Sequence, residues 1–140
     1  MDAIRVLEAL RLALDEGGRR GFPIACGIVD GSGRPLGMIR HEDAIWPAGD
    51  LALRKAVLAS AFRGRTCERF DRWQAELPLF GTGLAGLSPE HGWFVAPGGS
   101  PVLKDDGGRK VCVAAVGISG ARPAAIDQEI ADRIVLELAG

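Results

Sequence analysis

Two charged residues occupy positions where helical periodicity calls for apolar ones. In residues 51–63, Leu51, Lys55, Leu58 and Phe62 follow i, i+4, i+7, i+11 spacing, which puts the Lys55 ammonium in the apolar stripe of a helix. In residues 123–138, Asp127 precedes Ile130 by three and Ala131 by four, near the centre of the face that continues through Ile134 and Leu138. A carboxylate facing a core has to be hydrogen-bonded, paired, or beside a cavity. A lysine in the same setting either runs its stem out to solvent or lines a site. Desolvation would depress its pKa and make it a usable base near neutral pH, with the carboxylate as a second proton-transfer group. Lys55 and Asp127 are therefore the candidate catalytic residues.

Arg40-His41-Glu42-Asp43 is the densest run of reactive side chains. Imidazole and carboxylate together can ligate a metal or exchange protons. Neighbours on an extended chain point to opposite faces, so the four are expected not to converge. The run reads as a solvated strand end, and no metal site is assigned. Arg40 and His41 remain candidate ligand-binding residues, together with Ser119 and Gly120. That Ser-Gly turn opens the last helix, where free N–H groups suit a carboxylate or phosphate. Arg40, Lys55 and Asp127 are expected to approach one another around a pocket beside it. On this reading Lys55→Met would remove ligand binding or turnover while leaving the melting temperature nearly unchanged or raised.

The elements that must position these residues follow from patterning. Residues 111–118 are all apolar or glycine and rich in valine, a short run that reads as a strand buried on both faces. Residues 2–16 form an amphipathic helix ended by Gly17-Gly18. Residues 23–30 and 35–40 form a hairpin around Gly31-Ser32-Gly33-Arg34. An irregular link, 41–50, ends at Asp50 as an N-cap. Helices follow at 51–63 and, capped by Thr66, at 66–77. Residues 78–92 are left without assignment. Short strands are expected at 93–96 and 100–104, then Asp105-Asp106-Gly107-Gly108 turns into the central strand, and a helix closes the chain at 123–138. Successive hairpins imply an antiparallel sheet with helices on it, an α+β class, in one domain spanning 1–140.

The totals exclude several functions. Of 140 residues, 25% are charged and 47% hydrophobic, as in ordinary globular domains, and the net charge of −1 offers no broad basic field for nucleic acid. No apolar run approaches the ~20 residues of a membrane span, and no signal-peptide pattern opens the chain. Cys26, Cys67 and Cys112 are odd in number and widely spaced, which suits reduced thiols in a cytoplasm. The sequence carries no nucleophile elbow, phosphate loop, paired zinc histidines or C-x-x-C-H haem attachment.

Taken in order, the strand end Val29-Asp30, the turn Gly31-Ser32-Gly33, Arg40 with Ala44, Lys55-Ala56, the run from Pro97 to Val102, the run from Val116 to Ala121, and Asp127 resemble the GlcG/HbpS-like family. That family includes the C-terminal domain of PduO-type corrinoid proteins. The resemblance spans nearly the whole chain and is weakest over residues 69–92. It implies a profilin-like α+β fold with a central antiparallel sheet of about five strands, and a homo-oligomer. It also implies a role with haem, another tetrapyrrole or iron. The family usually carries Arg-Met-Asp-Gly-Ala where this chain has Arg40-His41-Glu42-Asp43-Ala44, so a possible ligand replaces an apolar residue and a charge replaces a glycine.

Three functions compete at this point. A haem-binding module would take an axial ligand from His41, His91 or Cys67 and pair a propionate with Arg40 or Lys55. A cofactor-free enzyme would hold a small carboxylated or carbonyl substrate on Arg40, move a proton through Lys55 or Asp127, and use the Ser119-Gly120 amides for developing charge. A structural or partner protein would bury the apolar surface of helix 51–62 in a larger assembly, and the same surface leads to the expectation of a homo-oligomer.

Overall fold

The computed structural model describes residues 1–87 and 93–140. The order is α1 (Ala3–Arg19), β1 (Ala25–Asp30), β2 (Pro35–Arg40), α2 (Ala48–Phe62), α3 (Thr66–Glu76), α4 (Phe80–Leu87), β3 (Gly99–Asp106), β4 (Arg109–Ser119) and α5 (Ala124–Ala139). The strands form one antiparallel sheet in the order β2-β1-β4-β3. The fold is α+β, with four strands among the described residues where about five were expected. Residues 93–96 supply no strand, because the chain there runs alongside the helices and makes no ladder.

Strand β4 lies between β1 and β3, in register Ala25 to Ser119 on one side and Gly99 to Gly117 on the other. Its last six residues are buried on both faces. On one face α1 and α5 meet Cys26, Ile28, Val116 and Ile118 through Val6, Leu10, Ile130 and Ile134. On the other, α2 lies directly on the sheet through Ala48, Ala52, Ala56 and Ala59. Gly117 makes that close approach possible, since a Cβ there would overlap the Ala52 carbonyl oxygen.

Several boundaries differ from the sequence reading for local reasons. Helix α1 runs through Gly17 and Gly18 to Arg19, and a Cβ on Gly17 would strike Ile24, so that glycine serves packing. Helix α2 starts at Ala48, and Asp50 lies inside it, accepting from Arg54 Nε at 2.9 Å. Thr66 is the first residue of α3, and its Oγ1 accepts the Gly99 N–H at 2.7 Å, leaving Arg65 as N-cap. Helix α4 falls in the segment left unassigned.

Candidate functional site

Lys55 and Asp127 come from helices on opposite faces of the sheet and meet at its end. Their residues are 4% and 3% exposed, and Lys55 Nζ lies 3.3 Å from Asp127 Oδ2. The ammonium also donates to the Ile118 carbonyl at 2.9 Å. Asp127 Oδ1 accepts the Ala121 N–H at 2.9 Å, and the Gly120 N–H contributes as well. Gly98, at φ +124°, seals the pair from the β3 side. A Cβ on it would lie 2.5 Å from the Ile118 oxygen, 3.0 Å from Lys55 Nζ and 3.1 Å from Asp127 Cβ. Burial pushes the Lys55 ammonium below its ordinary pKa, and the Asp127 charge offsets part of that. Burial likewise pushes the Asp127 carboxyl up, against the pull of Lys55 and the backbone N–H groups.

Above the pair is a pocket of about 330 Å³ lined by Pro23, Asp43, Ala44, Ser119, Gly120 and Arg122, with Asp127 at its base. That is the lower end of the volumes that hold drug-sized ligands, roughly 300–1,000 Å³. The turn amides expected to await a ligand are not free: Ala121 and Gly120 donate to Asp127. Arg40 is not among the lining residues. It shares a row with Ala25 and Ser119, two strand spacings and so about 10 Å from Ser119. Its Nη1 donates to the Ala44 carbonyl at 3.1 Å, so it shapes the rim by holding Ala44.

The His41-Glu42-Asp43 run is a turn, closed by Ala44 N–H to the His41 carbonyl at 3.0 Å, and not extended chain. One donor atom from each of these three residues lies within 4.8 Å of the others, while Arg40 is engaged with the Ala44 carbonyl, so three of the four converge and not all. His41 Nδ1 accepts the Asp43 N–H at 3.0 Å. The neutral imidazole therefore carries its proton on Nε2 and has no spare lone pair for a metal in this arrangement. Cys67 is half-buried and burial raises its pKa, which disfavours a thiolate. His91 lies outside the described residues.

Sequence reasoning missed the polar group that braces this end of the sheet. Gln128 Oε1 accepts from Gly98 N at 2.8 Å and Cys67 N at 3.2 Å, while its Nε2 donates to the Gly99 carbonyl at 2.9 Å and Asp132 Oδ1 at 3.1 Å. Arg65 forks onto Asp132 at 3.2 and 2.6 Å. The signal was available as Gln128 and Asp132 at i, i+4, flanking the apolar face. Its chemistry depends on backbone groups of Gly98 and Gly99, which helical periodicity does not reveal.

The fold recurs in solved structures. A double mutant of Streptomyces reticuli HbpS superposes with a TM-score of 0.81 at 26% identity, covering 100% of this chain and 87% of that one. A PduOC–heme complex matches with 0.80 at 26% identity over 98% and 94%. Klebsiella pneumoniae protein ORFY matches with 0.82 at 21% identity over 100% and 91%, a likeness of fold. No protein of curated function matches the sequence. The family model described as haem degrading protein HbpS-like matches residues 1–135, and the chain belongs to that HbpS-like family.

Proposed function

We propose that this chain binds a flat, carboxylated small molecule of the tetrapyrrole class, with haem the first to test. The observation that carries this reading is family membership over residues 1–135, supported by the likeness to a protein crystallised with heme. Two further parts of the reading are a homo-oligomer and a cytoplasmic location. The free thiols support the second. For the first, the apolar residues of α2 are largely turned to the sheet, but Leu36, Met38 and Ile39 of edge strand β2 are exposed, as are Ile45 and Trp46 in the link that follows. Light scattering should give at least twice the 14.8 kDa chain mass, and a 14.8 kDa particle at micromolar concentration would remove the oligomer.

A second reading rests on the buried Lys55–Asp127 pair beneath a 330 Å³ pocket. There a small carboxylated or carbonyl substrate would exchange a proton with Lys55 or Asp127, at a mouth bounded by Ser119 and Gly120, shaped by Arg40 through Ala44, with His41 in the adjoining turn. Paired titrations separate the two readings. Haem is expected to give a saturable Soret shift at micromolar concentration, and pyruvate to leave the amide resonances of residues 119–122 in place. No Soret shift, with those amides moving on pyruvate addition, would replace the first reading by the second.

A further inference from the structure

The pocket over the ion pair is not the roomiest cavity for a flat ligand. At the opposite end of β4, seven residues and roughly 20 Å from Ser119, lies a cleft of about 640 Å³. Its walls are the β1–β2 turn, the C-terminal end of α2, Trp93 and the first residues of β4. Resting on the tetrapyrrole reading above, we infer that this cleft seats the macrocycle, holding it by its ring face and carboxylates through Trp93, Arg63 and Arg109 and not through its iron.

The charges support an anionic edge. Among the described residues, neither Arg63 nor Arg109 has a carboxylate within ion-pair distance, and Arg63 donates only to the Lys110 carbonyl at 3.4 Å. Asp106 lies opposite Arg109 in the β3–β4 register but makes no ion pair with it, and two further carboxylates of these turns are engaged elsewhere. Asp105 pairs with Lys110 at 3.2 Å, and Asp30 accepts Ser32 N, Ser32 Oγ and Arg34 N at 2.8–3.0 Å within its own turn. Two guanidiniums without a carboxylate partner suit two carboxylates. Arg63 also holds a left-handed conformation at φ 51°, ψ 42°, where a helix ordinarily ends in glycine. A side chain there carries a backbone penalty that glycine avoids, so its presence is consistent with use of the guanidinium.

Among the described residues, the iron finds no ready donor in this cleft. An axial ligand needs an available lone pair on His, Cys, Met or Tyr. The cysteine lining the cleft, Cys112, donates its thiol to the Ala114 carbonyl at 3.2 Å, and burial raises its pKa. His41 lies at the other end of β1, with Nδ1 already occupied.

The test compares haem with iron-free protoporphyrin IX on the full chain, by Soret absorbance and porphyrin fluorescence. Wild type should bind both with affinities within about threefold. Arg109→Glu and Arg63→Gly should each weaken both by about tenfold, the loss of roughly one charge-assisted contact. Arg63→Gly should do so without lowering the melting temperature, because glycine relieves the left-handed residue. Arg11→Glu makes the same charge reversal as Arg109→Glu on α1, across the sheet, and should change neither affinity. Haem binding without protoporphyrin binding, or loss of haem alone in His91→Ala, would overturn the iron-independent mode. Binding of both that survives Arg109→Glu but is lost in Ala44→Trp would overturn the location while leaving the proposed function intact. Binding of neither would remove both.

Discussion

Replacing Lys55 alone by methionine is expected to destabilise the domain by about 3–5 kcal/mol at neutral pH, because it strands the buried Asp127 carboxylate. For a domain whose whole stability is about 5–15 kcal/mol, that approaches unfolding. The expectation from sequence, little change or a gain, grouped Lys55 with Arg40 and Asp127 around a pocket, where a second cation would remain beside Asp127. The structure leaves Arg40 on the rim, hydrogen-bonded to Ala44. The 3.3 Å pair with Asp127 reverses that expectation. The double change Lys55→Met with Asp127→Leu removes both charges and should recover most of the loss.

The pH dependence gives this prediction its sign. The Asp127 pKa is raised on folding, so its contribution is fully present below the unfolded value and is lost as pH rises through the folded one. The Lys55 pKa is lowered, so the folded chain sheds that proton first, and its contribution grows as pH rises from the folded value toward 10.5. Wild type compared with the double variant should therefore be least favoured between the two folded pKa values and gain toward both acid and alkaline pH. Urea melts across that range check it. A single-variant loss below about 1 kcal/mol, or a difference independent of pH, would show that the two groups do not share a buried pair.

Gly98→Ala is expected to cost about 2–6 kcal/mol, from two separable causes. At φ +124° an alanine is strained by about 1–3 kcal/mol whatever surrounds it. Its Cβ also enters the space of Lys55 Nζ, Asp127 Cβ and the Ile118 oxygen, adding an overpacking cost of about 1–3 kcal/mol. Gly107→Ala is the internal control. Its φ is +57° with nothing within 4 Å of the added Cβ, so only a backbone cost of about 1–2 kcal/mol applies. Chemical denaturation of the two variants side by side reads the difference. Equal losses would mean that the strand entering β3 yields freely, and that Gly98 does not hold the pair in place.

The elements with strong periodicity were legible before any coordinates. The apolar run of β4, the hairpin around Gly31 and Gly33, and helices α1, α2 and α5 stand close to where patterning put them, because burial on one or two faces leaves a period that survives local variation. Helix α4 was not legible, since Phe80–Leu87 contains three glycines and little polar contrast. The strand expected at residues 93–96 failed for the complementary reason: a few strand-forming residues make no ladder unless a neighbour offers an edge.

For the site, the sequence by itself determined that Lys55 and Asp127 interrupt apolar helix faces, and so that each needed a partner or a cavity. Their approach was expected from sequence together with Arg40. That they form a buried 3.3 Å pair without Arg40 was decided by tertiary structure, through Gly117 letting α2 settle on the sheet and Gly98 leaving room at its end. The same packing turned the Gly120 and Ala121 amides toward Asp127 and kept Arg40 on the rim. It also brought Arg63, Trp93 and Arg109, distant in sequence and each unremarkable in its own segment, to one cleft. Periodicity along a chain reports which face of an element is buried. Which groups converge depends on how closely the elements approach and in what register, and here glycines without side chains of their own set both.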